Sequence, residues 1–494
     1  MRENFYFLIV FTIKPMKKLF VLLIAFLLNL SYTAFAYPPI SGVLQSNSGQ
    51  QDGYILFAPM SSTSTYLIDK TGQRINSWDS KYIPGKSAYL LPDGSLLRTG
   101  NFGNVYFRIP GNGGIIEKYN WEGKLVWSYQ ISDSLQCQHH DIFPMPNGNI
   151  LAIVCEVKTA DEAIAAGRDP MRVDRILYSE KIIEIKPEGK SSGTIVWEWK
   201  VWDHLVQEFD PTKANFAPVA KHPELVDINY IYSENGDETD WLHFNSVTYN
   251  NDLNQIMVSS YNLSEIWIID HSTKTTADAA KHIGGKLGKG GDILFRWGNP
   301  LVYQGGIGDD QRLFGQHNPY WIEKGYPDAG KILVFNNGFG RLDGNYSSVD
   351  IISPEIDKKG NYIIENGKSY LPKKAEWSYS DSQKSSFYSK TISSAQQLPN
   401  GNILICNGNS GLFFEINQNK QIVWEYKNPA CNENGVIQDM SICAFVFRCS
   451  LYTSDYPIFK QKKISPSRGQ NNSSPKQSSQ LNLYGKPKGG LPTQ

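Results

Sequence analysis

Three histidines stand at the head of strand-like runs: His140 in CQHHDIFPMPNGN, His243 in DWLHFNSVTYN and His317 in FGQHNPYWIEKG. The whole chain has only eight histidines, so three in one kind of position form a pattern. A neutral imidazole is a nucleophile near neutral pH and also gives and takes protons. Arg341, in VFNNGFGRLDG, offers a planar fork of donors for negative charge. These side chains suit covalent or acid–base catalysis on an anionic substrate, provided the fold brings them together.

What must position them is written in the tryptophans. INSWDS, KLVWSY, TIVWEW, ILFRWG, KAEWSY and QIVWEY repeat one signal around Trp78, Trp127, Trp197, Trp297, Trp377 and Trp424. Ahead of most lies a strand-and-turn stretch such as GIIEKYNWEGK or LFFEINQNKQ. Further upstream comes a hairpin, LLPDGSLLRTG, PMPNGNILAIV or QLPNGNILICN. Each unit reads as strand A, a tight Asp-Gly or Asn-Gly turn of the two-residue kind, strand B, a loop, strand C, a turn and strand D. Four antiparallel strands repeated six times predict an all-β fold, a six-bladed β-propeller. The first unit begins at its second strand, YILFAPM. The stretch CAFVFRCSLYT, from Cys443 to Thr453, is expected to supply the missing inner strand and close the ring.

In a propeller the A strands line the central channel. His140 stands six residues before Pro146; the same offset gives Lys86 in the second unit and Ser393 in the sixth. His243 and His317 take similar places in units four and five, and Arg448 in the closing strand. These residues are expected at one mouth of the channel. Arg341 follows strand B of the fifth unit and should reach the same mouth. Asn245, two residues after His243, should share its strand face and lend a hydrogen bond. The loops 157–181 and 200–239 should lie at this mouth as a lid, and the excursion 271–292 at the other end.

The bulk composition narrows the partners. Lys+Arg and Asp+Glu are both 48 and the formal net charge is zero, so no electrostatic case for nucleic acid arises. Residues 16–36, MKKLFVLLIAFLLNLSYTAFA, read as a signal peptide, with 1–15 a start-site artefact. No other stretch is apolar enough to span a bilayer, so no stable membrane insertion is expected. The propeller should occupy 37–460, and the Ser-, Gln- and Lys-rich residues 461–494 should be a disordered tail. Among six cysteines, Cys431 and Cys443 flank a short loop and are the preferred disulfide pair for an oxidising compartment. GGKLGKGG, from Gly284 to Gly291, lacks the spacing of a phosphate loop and reads as a mobile glycine loop. His139 and His140 lack an accompanying carboxylate or cysteine set, so no metal is expected there.

At these residues the chain resembles the PAPS-independent arylsulfate sulfotransferase family. The similar stretches include HHDIFPMPNGNIL, WEWKVWDHLVQEFDP, DWLHFNSVTYN, SEIWIIDHSTKT, QHNPYWI, ILVFNNGFGRLDGNYSSVDII and AQQLPNGNILIC, together covering most of residues 135–460. The resemblance implies an exported, periplasmic or secreted six-bladed propeller. It implies transfer of a sulfuryl group from a phenolic sulfate ester to a phenol through a sulfated histidine, with no cofactor; a homodimer is compatible with it. His243, His317 and Arg341 match positions that the family uses in its active site. Some members place the sulfated histidine late in the chain, where this one has Thr391, Ser393 and Ser394. The nucleophile then lies among His243, His317 and His140. Tyr261 stands where relatives tend to have arginine. Two other readings of the residues stay open: a non-catalytic exported propeller binding a sulfated or other anionic ligand, and a propeller lyase or hydrolase.

Overall fold

The computed structural model describes residues 41–107, 109–230, 239–365, 368–429 and 444–464. The signal-peptide, Cys431–Cys443 and tail expectations concern residues that lie wholly or almost wholly outside these ranges. Six four-stranded antiparallel units follow one another in chain order, each running from an inner A strand to an outer D strand. The six tryptophans of the repeat fall on or at the end of the six D strands, Arg74–Asp79, Leu125–Gln130, Ser192–Lys200, Ile293–Trp297, Trp377–Tyr379 and Ile422–Lys427.

Those tryptophans join blades. The indole Nε1 of Trp78 donates to the Asn120 carbonyl, Trp127 to Ser192, Trp197 to the Thr273 hydroxyl, Trp297 to Pro372 and Trp424 to Lys70. Each bond reaches the next blade, and the sixth blade reaches the first. A Trp buries a large apolar ring yet needs a partner for its N–H. An inter-blade seam with one exposed carbonyl meets both demands.

The ring is closed twice. Val446–Thr453 pairs with Gly53–Pro59 and becomes the inner strand of the first blade, as its sequence predicts. Gly42–Ser46 adds a fifth, outermost strand to the sixth blade through Ile422–Lys427. That strand has no tryptophan or turn signature, so the repeat could not reveal it. It covers an edge that would otherwise expose unpaired N–H and C=O groups. After the closing strand a short helix, Pro457–Lys462, buries Ile458 and Phe459 against Tyr54 and Trp121, so the body of the protein extends past Lys460.

The A–B turns differ from the two-residue hairpins expected. In the second blade Gly94 N–H donates to Leu91 and Leu91 N–H to Ser95. Only the glycine is left-handed, at φ +81°. This is a longer turn, capped by the Asp93 side chain on the Ser95 N–H at 2.8 Å. Asn147 and Asn400 cap their turns in the same way. The Asx residue therefore serves through its side chain rather than through a positive φ.

The 200–239 excursion lies only partly at its expected place. One part runs along the outer edge of the fourth blade, with Ile293 N–H donating to Glu224 and Arg296 to the Leu225 carbonyl. It there meets the 271–292 excursion. Other parts of it pack at the mouth on the third-blade B–C loop, where Asn215 donates to the Ala166 carbonyl, Asn229 to the Gly167 carbonyl and Asp169 N–H to the Asn229 side chain, and where Tyr178 N–H donates to Thr239. An unpaired D-strand edge offers backbone partners, and part of the excursion takes them.

Candidate active site

The inner strands do not run straight into the channel. Each of five has a non-glycine residue of positive φ within it or just before its start: Lys86 (128°), His140 (51°), His243 (52°), Asn318 (52°) and Ser393 (89°). Four of these strands carry a register break beside it. Such bulges re-aim side chains, and non-glycine residues held left-handed mark places where the surroundings impose the conformation. The six-residue offset thus falls on the left-handed residue in three blades, at Lys86, His140 and Ser393. In the fifth blade Asn318 takes the left-handed position, and His317 is its neighbour.

Three imidazoles converge at this mouth. The rings of His140 and His243 lie 4.8 Å apart, and Tyr261 sits 5.4 Å from His243 and 5.6 Å from His317. Phe447, from the closing strand, packs against both His140 and His317.

Their environments differ. His243 Nδ1 lies 2.6 Å from Asp240 Oδ2, while its Nε2 has no hydrogen bond among the described residues. Burial works against a charge on His243, but Asp240 outweighs it and raises the pKa above the ordinary value. Asp240 is held as a carboxylate in turn: burial is overcome by His243, and its pKa falls. The side chain of His243 is 11% exposed, whereas His140 and His317 are buried.

His140 shares a 2.9 Å contact with His139, Nδ1 to Nδ1, and His139 Nε2 lies 2.6 Å from Glu180. With His139 neutral and donating to Glu180, its Nδ1 accepts, so His140 donates through Nδ1 and keeps a lone pair on Nε2. Burial, and then the crowding of the basic groups His243, His139 and Lys86, push the His140 pKa well below the ordinary range. Glu180 also accepts the Phe244 N–H at 3.1 Å, so one carboxylate aligns two blades.

His317 has both nitrogens occupied. Nδ1 donates to Asn337 Oδ1 at 2.8 Å and Nε2 accepts the Ile392 N–H at 3.2 Å. Burial brings its pKa down to about 3. That is a neutral prop rather than a free nucleophile.

The remaining expected residues divide. Lys86 is half-buried, and among the described residues its ammonium has one weak partner, Met60 Sδ at 3.9 Å. Burial lowers its pKa to about 8. Arg448 is engaged with Asp141 Oδ2 at 2.9 Å and with the Tyr89 hydroxyl at 2.7 Å. Arg341 lies on the expected B–C loop, but its guanidinium turns back to Ser348 Oγ and the Tyr346 carbonyl and stacks on Tyr346; among the described residues it makes no hydrogen bond or ring contact with the histidines. The Ser393 hydroxyl is spent on Ser389 and the Gly408 N–H. Asn245 does not share the face of His243: the left-handed His243 and the bulge between Phe244 and Ser246 break the two-residue alternation. Its amide donates to the Gln316 carbonyl, between blades four and five.

Asp240, Glu180 and Asn337 escaped the sequence reading. Asp240 stands three residues before His243, a separation that a strand would place on the opposite face, and only the left-handed turn returns it. Glu180 lies inside strand C of the third blade, where no local signal marks it.

A cavity of about 1120 Å³ opens at the opposite mouth, where the A–B turns lie, lined by Tyr89, Phe143, Tyr320 and Tyr452 among others. Arg448 belongs to its lining, so the Arg448–Asp141 pair separates it from the histidines. The oriented imidazoles and the Lys86 ammonium meet at the histidine mouth, which makes it the candidate site.

Fold and site together define a six-bladed propeller with a histidine-centred site at one mouth of its channel. The family model of arylsulfotransferase (ASST) matches residues 43–440, and the chain belongs to that family. No curated protein sequence matches it. Similar solved structures include a protein of unknown function from Bacteroides caccae, at 10% identity, 81% of this chain, 98% of that one and a TM-score of 0.43. Others are the β-propeller domain of Cps50 (Swd1) from Myceliophteria thermophila, at 8%, 79%, 90% and 0.38, and virginiamycin B lyase from Staphylococcus aureus, at 11%, 83%, 96% and 0.34. These likenesses are too distant to bear on chemistry. No helix among the described residues is long and apolar enough to cross a membrane.

Proposed function

We propose that this arylsulfotransferase moves a sulfuryl group from a phenolic sulfate ester to a phenol by way of a sulfated His243, without PAPS, in an exported compartment. The observation that carries this reading is the state of His243: its Nδ1 is committed to Asp240 and its Nε2 is left open at the mouth. Nε2 attacks the sulfur, the bond from sulfur to the aryl oxygen breaks, and the aryl oxide leaves and is protonated from solvent. Asp240 stabilises the resulting sulfoimidazolium, as the carboxylate of a nucleophile–base–acid triad stabilises its imidazolium. An acceptor phenol then gives up its proton to solvent, its oxygen takes the sulfur and the N–S bond breaks, restoring the neutral imidazole. The lone pair on His140 Nε2 is available to align the entering hydroxyl. Lys86 is the unpaired cation for the sulfuryl oxygens.

Brief exposure to 4-nitrophenyl sulfate, followed by intact-mass analysis, tests the reading. One SO3 adduct should form, map to His243 and disappear on adding phenol. A protein that binds the ester but never carries the adduct is instead an anion-binding propeller. That second reading draws on one observation: both Arg341 and Arg448 have protein partners, so Lys86 is left to neutralise the ligand.

A further inference from the structure

On the flank between the third and fourth blades, the two long excursions bring together three side chains that the transfer chemistry does not use. His204 follows the turn Val201–Asp203 and is fully buried; Asp292 precedes strand D of the fourth blade and is 5% exposed. His282 lies between them in the 271–292 excursion, and its side chain is 57% exposed. His204 Nδ1 is 2.8 Å from Asp292 Oδ1, and His282 Nδ1 is 2.7 Å from the same oxygen. One donor atom from each residue lies within 4.8 Å of the other two.

The proton count gives this cluster its meaning. His204 Nε2 lies 2.9 Å from the Ala279 carbonyl, and a carbonyl only accepts, so Nε2 carries the hydrogen. A neutral His204 then turns its Nδ1 lone pair at a carboxylate oxygen. Something positive must lie between them, either a proton or a metal ion. A proton serves one imidazole. Here a second imidazole reaches the same oxygen, and the first is fixed by a backbone carbonyl, the outer partner that metal-bound histidines typically have.

We propose that His204, His282 and Asp292 form a binding site for a borderline divalent transition ion of the Zn2+ class. Two imidazoles and one carboxylate suit such an ion, whereas Mg2+ and Ca2+ demand oxygen shells. Bonds of about 2.0–2.1 Å in a tetrahedral site put donors roughly 3.3 Å apart. Both contacts to Asp292 Oδ1 must therefore lengthen by about half an ångström, which takes a small shift of the Asp292 carboxylate as well as of the exposed His282. Solvent supplies the fourth position.

The site lies at the neck of the glycine loop. Gly284, Gly285, Gly288 and Gly290, all left-handed, fall between His282 and Asp292. The neck is drawn together by the bond from Gly291 N–H to Lys281 and anchored to the third blade by the bond from Trp199 to the Gly291 carbonyl. An ion there fastens the exit of the third blade to the last strand of the fourth and closes the neck of a glycine loop whose Lys286 N–H is tied to Asp270 and Ser272.

The test is Zn2+ titration of chelator-treated protein, read by calorimetry, thermal unfolding and limited proteolysis of 283–291, with Mg2+ as control. The wild type should take up an equivalent of Zn2+ that raises Tm and protects the loop, and Mg2+ should do neither. H282A removes an exposed side chain, should fold, and should weaken that equivalent by at least about 100-fold. H243A, altered at the other histidine cluster, should keep it. A wild type whose Tm ignores Zn2+, an H282A that binds as tightly as wild type, or an equivalent lost in H243A instead would each overturn the proposal and leave a proton-bridged pair.

Discussion

Asp240 Oδ2 stands 2.6 Å from His243 Nδ1, three residues along the same segment, and the left-handed backbone of His243 (φ 52°) accompanies this contact. The carboxylate fixes the ring and its tautomer, so Nε2 faces outward with a lone pair. It also makes that lone pair more basic. Two neighbouring imidazoles are thereby driven apart in pKa, His243 upward and His140 well downward. Groups separated in this way can take different proton-transfer roles at one pH.

Asp240→Asn removes this orientation while keeping the shape. Attack needs an unprotonated Nε2, so the wild-type rate should rise with pH through a value above the ordinary 6.5 and then level. In the variant this rising limb should move to lower pH, because the group that raises the His243 pKa is gone. The plateau should fall by about 10²–10⁴-fold, the usual worth of a positioned acid–base partner. A pH–rate profile for aryl sulfate cleavage reads both effects.

Lys86 sets the opposite limb. Its ammonium persists below about 8 and is lost above, so donor binding should weaken as pH rises through that value. Lys86→Met should raise KM for the sulfate ester by roughly tenfold or more, and the alkaline rise in KM should vanish, since a pair between ligand and cation in a desolvated site is worth about 1.5–3 kcal/mol. Steady-state KM from pH 6 to pH 9.5, on both proteins, decides it.

Much of this was legible in the chain. The tryptophans marked the outer strands because an inter-blade seam makes the same demand at five of the six blades, and the offset to the turn proline fell on the left-handed residues His140, Lys86 and Ser393 because the inner strands are built alike. The rest depended on backbone that no residue type announces. A histidine held at φ 52° reverses which neighbours it meets, so Asp240 was overlooked and Asn245 misassigned. Arg341 was placed on the right loop, but the preference of its guanidinium for Tyr346 and Ser348 is a matter of side-chain packing. The first strand, Gly42–Ser46, pairs with a partner more than 370 positions away, and short edge strands carry little pattern of their own.

Gly111 permits the mouth to close over His140. At φ +85° an added Cβ would come within 2.1 Å of the His140 ring, whereas at Gly148, φ +86°, it would meet nothing within 4 Å. Gly148→Ala should therefore show backbone strain alone, about 1–2 kcal/mol, with normal activity. Gly111→Ala should cost roughly 1–3 kcal/mol more through overpacking and should lower kcat, since the ring must move. Chemical denaturation with parallel kinetics separates strain from collision.

Glu415 joins the two closures of the ring. Buried, it accepts from Lys70 Nζ at 2.6 Å in the first blade, from Asn402 at 2.6 Å in its own blade and from the Gln51 N–H at 2.7 Å in the N-terminal segment. Glu415→Ala strands the Lys70 ammonium, which is only 6% exposed. A loss of about 3–5 kcal/mol is expected, the cost of breaking a buried pair from one side. Lys70→Met, paired with Glu415→Leu, should recover part of it, because an apolar pair leaves no charge buried. Urea unfolding of the three proteins measures the difference.

His317 offers a test that divides structural support from catalysis. Its folded-state pKa is about 3, against an ordinary 6.5. Above 6.5 folded and unfolded chains both hold it neutral and its effect on stability is flat. Below 6.5 the unfolded chain takes up a proton that the folded chain refuses until about 3, so stability should fall steadily across that window. His317→Asn removes this titration. It should lower Tm at pH 7, where packing against Tyr261 and Phe447 is lost, yet its Tm should decline less steeply than wild type from pH 6.5 toward 3. Because Asn337 and the Ile392 N–H already occupy both nitrogens, the variant should still acquire the SO3 adduct, more slowly, whereas His243→Asn should acquire none. An adduct abolished by His317→Asn and retained by His243→Asn would reverse the two assignments.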